Sequence, residues 1–181
     1  MSAKKPGWSQ VKAVLAEQEH KELLKLIGDL YRLSKDNRVF IESRLLAGED
    51  ALYHYKQVIS EAVYPDIERG KPVRFSVGKK AISDYKKATN DSIGTLELMV
   101  HYLEQGNQLT VDYGDIDEPF YAGLESMFDR ILNALDKESA NSQKRFVPRL
   151  EAVVHAARHM GWGYYDCISE MLNDFQAGSS D

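Results

Sequence analysis

Leu23, Leu26, Ile27, Leu30 and Leu33 recur at spacings of three and four, the period of one helix face, and predict a helix from His20 to Leu33. Ahead of it, Ser9 can cap a shorter helix carrying Val11, Val14 and Leu15. Asp36-Asn37 is expected to stop the second helix, and Val39, Phe40, Leu45 and Leu46 predict a short partner ending at Gly48. A further stripe, Leu52, Tyr55, Ile59 and Val63, runs to Tyr64-Pro65, because proline disfavours α geometry at the residue before it. These stretches read as short antiparallel hairpins.

The loop PDIERGKPVRF, rich in Pro and Gly, precedes a basic helix predicted from about Ser76 to Ala88. Asp91 or Asn90 then caps a helix with Ile93, Leu96, Met99, Val100 and Leu103 on one face and Leu98 and Tyr102 on another. Apolar on two sides, it is expected at the centre. Gly106 reads as its end, with NQLTVDYGDIDEPFY as a long connection in which Asp117 caps and Pro119 opens the next helix. That helix is expected to be the longest, reaching about Lys137 with Phe120, Leu124, Met127, Ile131 and Leu135 on its stripe. Ser142 opens another helix through His159, and Tyr164 to Phe175 forms the last, with Ile168, Met171, Leu172 and Phe175 inward.

VRFSV and LTVDY are the only candidates for period-two alternation, and neither is long enough to insist on a strand. The fold class is therefore all-α. About eight helices are expected in an irregular multi-helix bundle or a curved, solenoid-like stack of helix pairs, without a fixed repeat period. One domain spans residues 1–181, with residues 1–8 and 177–181 expected to be flexible. Gly28, Gly94 and Gly123 fall inside predicted helices, where each costs up to about 1 kcal/mol against alanine, so close helix approach is expected there. Simple tolerance on an exposed face is an equal alternative for Gly94.

Composition narrows the class further. The 181 residues are 43% apolar and 28% charged, which is ample for one core. A net charge of −5 argues against general affinity for nucleic acids or anionic membranes, leaving local patches to be inspected. A single cysteine, Cys167, excludes an internal disulfide and a Cys-rich zinc cluster, and it is read as a buried thiol. No apolar run approaches the roughly 20 residues of a spanning helix, and MSAKKPGWSQ lacks an apolar core. A cytoplasmic protein that does not enter the membrane is expected.

The richest cluster of reactive side chains is EAVVHAARHMGWGYYDC, where Glu151, His155 and His159 stand four apart on one helical face. With Glu97 and His101 on another helix they suggest a metal site. However, helical di-iron proteins use Glu-x2-His rather than Glu-x3-His, so no metal or cofactor is expected. Ala152 and Ala156 on the same face hint at close packing, and Gly161 and Gly163 read as a hinge bringing Trp162, Tyr164 and Tyr165 against preceding helices. Arg149-x5-His155 also fits the loose Arg-x4-6-His spacing of the helical HEPN ribonucleases. That resemblance of two residues implies a metal-independent enzyme using Arg149 and His155, and His159 on the same helix is a further catalytic candidate.

Two charged segments offer binding readings. Lys71, Arg74, Lys79, Lys80, Lys86 and Lys87, preceded by Arg69 and interleaved with Phe75 and Tyr85, can supply phosphate contacts and base stacking. The same helix reads equally as amphipathic with a solvated basic side. Its GxxxxGKK-like run has no preceding strand and the wrong glycine spacing for a phosphate-binding loop. Asp112, Asp115, Asp117 and Glu118, with Glu125 and Asp129, form an acidic patch that lacks the ligand order of a calcium loop. Opposite patches suggest intramolecular pairing or contacts between copies. No Gly-x-Ser-x-Gly, His-Asp or Cys-x-x-Cys motif is present.

The segments DNRVFIESRL, YPDIERGKPVRFSVGKKAISDYKKAT, VDYGDIDEPFYAGLESMF and GWGYYDCISEML together resemble a bacterial family of small helical proteins known as a domain of unknown function. The resemblance runs over about residues 21–172. It implies a bacterial, cytoplasmic, all-helical protein and brings no activity, ligand or catalytic residue. The expected function is a non-enzymatic helical interaction module that binds a protein partner or itself. Nucleic-acid association through residues 69–87, and RNase-like chemistry through Arg149 and His155, are the alternatives.

Overall fold

The computed structural model describes residues 7–46 and 49–178, which form nine α-helices and one 3-10 turn, with no strand among them. The chain runs α1 (Trp8–Ala16), α2 (His20–Leu33), α3 (Lys35–Leu45), α4 (Glu49–Val63), α5 (Phe75–Thr89), α6 (Ser92–Tyr113), α7 (Glu118–Leu135), α8 (Ala140–Ala156), the 3-10 turn Ala157–His159 and α9 (Tyr164–Gly178). Gly48, expected to end the third helix, lies outside the described residues, as do positions 1–6 and 179–181 of the expected flexible ends. Trp8 and residues 177–178, placed in those ends, are helical.

At the centre stands α6, as its two apolar faces require. Its residues from Gly94 to Val100, then Tyr102, Leu103, Gly106, Asn107, Leu109 and Thr110, are all buried. Helices α4 and α5 pack on it from one part of the chain, and α7 and α8 from the other, while α9 closes on α7 and α8. One continuous core results. Tyr55 and Ile59 of α4, Ile82 and Tyr85 of α5, Leu124 and Phe128 of α7, Phe146 and Leu150 of α8, and Ile168 of α9 all belong to it.

Several boundaries differ from those read in the residues. Gly106 does not end α6. The helix continues to Tyr113, making it the longest at 22 residues against 18 for α7, and LTVDY is helical. Gly106 is tolerated because it faces Leu124: a Cβ there would meet that side chain at 2.5 Å. The stop comes at Gly114, whose φ of +86° is a conformation that favours glycine. VRFSV is not a strand either, since α5 begins at Phe75. The Arg74 amide instead donates to the Ala62 carbonyl at 2.7 Å, tying the loop to the end of α4.

Asp36 and Asn37 start a helix rather than stop one. Ser34 caps α3 by accepting from the Asn37 amide at 3.1 Å. Gly7, not Ser9, caps α1, and Ser139 opens α8 three residues before the expected start. Asp91 and Asp117 cap α6 and α7 through the amides of Gly94 and Phe120, as the sequence suggests. Gly94 marks a close approach, because a Cβ would lie 2.2 Å from the Tyr85 hydroxyl, whereas Gly28 and Gly123 face no neighbouring element closely.

The start of the chain stands apart. No residue of α1 or α2 is buried, so the apolar stripe of α2 does not join the core. Among the described residues α2 packs chiefly on α3, which packs on α5, and α1 has no substantial packing contact with another element.

Candidate functional site

Glu151, His155 and His159 are all exposed on α8 and the turn that follows it. The α-helix ends at Ala156, so His159 sits in the 3-10 turn and leaves the four-residue register. Ala152 and Ala156 are exposed as well, and no described element covers them. Glu151 accepts a hydrogen bond from Gln176 Nε2 at 2.8 Å. Among the described residues, no three His, Cys, Asp or Glu side chains converge closely enough to hold a metal ion.

Arg149 points instead into a charged cluster that sequence reading missed. Glu97 on α6 keeps only 6% of its side chain exposed and takes Lys56 Nζ of α4 at 2.6 Å, with Arg145 and Arg149 of α8 both at 2.8 Å. Arg149 also grips Glu104 with Nε and Nη2, each at 2.7 Å. Both guanidinium groups lie over the Phe146 ring, at 5.0 and 5.8 Å. Burial pushes the Glu97 carboxyl up, but the bond from Lys56 and the charge of Arg149 outweigh it and hold the group below its usual range.

His101, one turn along α6, shares a 2.8 Å hydrogen bond with the Ser60 hydroxyl, and burial followed by the charge of Lys56 keeps its imidazole neutral to lower pH than usual. Glu97 and His101 are thus drawn to α4 and α8 rather than toward Glu151 or His155. The cluster clamps α4, α6 and α8 together. With its donors matched by two carboxylates, Arg149 is committed to that clamp, while His155 is in solvent. The signal was present as two rows, Glu97 and Glu104 seven apart and Arg145 and Arg149 four apart. Only tertiary packing sets them face to face.

The basic segment is divided by the fold. Lys71 and Arg74 lie exposed in and at the end of the loop, Lys79 is half-buried, and Lys86 and Lys87 are exposed in the last turn of α5. Lys80 is paired with Asp84 at 2.5 Å and with Asp36 at 3.5 Å. The interleaved rings are not free for base stacking. Phe75 packs edge-on against Phe120 at 5.1 Å, and Tyr85 packs against Tyr55 at 5.3 Å with its hydroxyl donating to Asp91 at 2.7 Å.

The acidic residues also have local employment. Asp112 accepts from Tyr64 at 2.6 Å and from Gln108 at 2.9 Å. Asp115 accepts from the Tyr121 hydroxyl and from the Gly161 amide, and those two bonds hold its carboxyl below the usual range. Asp117 caps α7, and Glu118 lies in its first turn. Among the described residues no ion pair joins this patch to the basic segment. The expected intramolecular pairing does not occur.

The Gly161–Gly163 turn is pinned by Asp115, and both Trp162 and Gly163 adopt positive φ, +60° and +72°. Tyr164 is fully buried and Tyr165 half-buried, as expected, but Trp162 points outward with 59% of its surface exposed. Cys167 is half-buried, and burial, with Glu125 and Glu170 nearby, pushes its thiol up and away from nucleophile chemistry.

What remains open is the face of the first three helices. Trp8, Leu24, Leu30 and Leu33 expose 70%, 55%, 44% and 75% of their surface, and Val11, Val14, Leu26, Ile27, Phe40, Leu45 and Leu46 are exposed too. Beside it, α3, α4 and α5 enclose a groove of about 570 Å³, walled by Val39, Phe40, Tyr55, Val58 and Val77 and bordered by Asp36, Lys80, Asp84 and Lys87. Periodicity found the stripe on α2, but it could not say that the remainder of the chain leaves it uncovered. No helix among the described residues is long and apolar enough to cross a membrane. No protein-family model matches this chain, and neither a curated protein nor a solved structure matches it.

Proposed function

We propose that the protein is a non-enzymatic helical interaction module, and that it binds a protein partner through the apolar face of α1, α2 and the adjoining part of α3. The carrying observation is that these helices are amphipathic and bury none of their large apolar side chains in the described structure. Exposed apolar patches of more than a few hundred Å² on a soluble protein mark interaction surfaces. The nine residues of α1 support the same reading. An isolated helix shorter than about 12 residues is marginal in water, so packing against something else must stabilise it.

Fixed ion pairs hold Arg149, and packing holds Phe75 and Tyr85, whereas the first three helices offer shape and apolar surface. Partner binding by helix-face recognition depends on a few central apolar side chains. Leu26→Glu with Leu30→Glu is therefore expected to weaken partner binding at least about 100-fold. The melting temperature should stay within a few degrees of wild type, because neither leucine reaches the core. Affinity capture from the source cells, quantified by mass spectrometry for wild type and variant, checks this. Equal retention of the same proteins by both would contradict it.

A further inference from the structure

We infer that the occupant of the α1–α2 face is a second copy of this chain, with the two α2 helices antiparallel about a two-fold axis at Ile27. This rests on reading that face as an interface, and it adds the identity of the partner.

The seam comes first. Leu23, Leu26, Leu30 and Leu33 follow one another at spacings of three, four and three, the pattern that lets two helices interleave along a shallow left-handed crossing. Tyr31 lies to one side of that seam, where its hydroxyl donates to Glu42 of α3. Helix α3 thus takes one edge of the apolar arc and leaves the other edge open, with Leu26, Leu30 and Leu33 still exposed.

The charges bordering the open edge carry the choice of partner. They are Glu22, Lys25, Asp29 and Arg32, of which Arg32 also donates to Asp29 within the helix at 2.6 Å while both side chains stay more than half exposed. Glu22 and Arg32 are equally distant from Ile27, on opposite sides, and so are Lys25 and Asp29. An antiparallel pair with its two-fold axis at Ile27, one residue from the centre of the leucine seam at Gly28, therefore sets Glu22 level with Arg32 of the second copy and Lys25 level with Asp29 of the second copy. Each level pair is opposite in sign. A parallel pair would set each charge beside its own like.

Exposure and net charge agree with this arrangement. Along the seam Leu26, Ile27, Leu30 and Leu33 keep 44%, 43%, 44% and 75% of their surface exposed, so the face a second copy would cover is open. Residues 7–46 contain seven Lys and Arg against six Asp and Glu. Two such surfaces do not repel, and their mixed signs give an anionic membrane or nucleic acid little to select.

Sedimentation of the full chain from about 1 to 100 µM tests the inference, with far-UV circular dichroism confirming that each variant folds. Wild type is expected to be a dimer, and Leu26→Glu with Leu30→Glu a monomer. Lys25→Glu makes the level pair Glu-Asp and Asp29→Lys makes it Lys-Lys, so each variant alone should dimerise roughly tenfold more weakly than wild type. An equal mixture of those two variants recreates opposite signs at every level and should recover wild-type affinity. Mixing leaves contacts within each helix unchanged, so recovery reports only contacts between copies.

A wild-type chain that stays monomeric throughout, a dimer indifferent to the leucine changes, or single charge variants as tight as wild type would each overturn the inference. If wild type is monomeric while the leucine variant still loses its captured proteins, self-association falls and the interaction-module reading survives. If neither changes, both fall.

Discussion

Glu97→Ala is expected to lower the unfolding free energy by about 3 kcal/mol, because breaking a buried ion pair leaves its partners uncompensated. Glu97 is the point where Lys56, Arg145 and Arg149 meet, so its loss removes the charge that draws α4 and α8 onto α6. Glu104 continues to hold Arg149, and Arg145, with 56% of its side chain exposed, can be hydrated. Those two escapes keep the effect at the low end of what a buried pair produces. Urea denaturation followed by circular dichroism measures it, with the slope of the transition unchanged. A loss below about 1 kcal/mol would mean that the cluster is a surface ion network rather than a clamp.

Phe120→Ala is expected to cost about 4 kcal/mol, through the transfer free energy of the ring and the cavity it leaves. Phe120 is 3% exposed at the start of α7. It packs edge-on against Phe75 of α5 at 5.1 Å and Tyr121 at 5.2 Å, and Tyr121 in turn lies 5.0 Å from Tyr164 of α9. One ring thus links the two groups of helices that flank α6 at this end of the core. The same denaturation experiment checks it, and near-wild-type stability would show that the aromatic chain does not bind those groups together.

Much of this architecture was legible in the residues. Apolar positions on two sides of the Ile93–Leu103 stretch placed α6 at the centre, and Asp117 with Pro119 marked the start of α7, since both signals are local. The end of α6 was not legible. A glycine can stop a helix or admit a neighbour, and only the position of Leu124 shows that Gly106 does the second. Phe75 and Tyr85 misled in a similar way, because an aromatic ring among lysines suits either a nucleobase or a core, and α5 turns both rings inward.

The candidate site was legible in composition but not in role. The stripe on α2 announces a face that requires cover, and periodicity is silent on whether the same chain supplies it. Arg149 and His155 matched a catalytic spacing, yet adjacency along α8 says nothing about what stands opposite. Glu97 and Glu104 decide the matter for Arg149 from another helix, 45 to 52 residues away in sequence.

Hydrogen exchange across residues 8–33 tests most directly whether the first two helices are an interface. In the bound protein, the amides of α1 and α2 should exchange far more slowly than in an unstructured peptide. In the Leu26→Glu, Leu30→Glu variant they should lose that protection, while residues 92–135 of α6 and α7 keep theirs. Equal protection of α1 and α2 in wild type and variant, or free exchange there in both, would contradict the proposal.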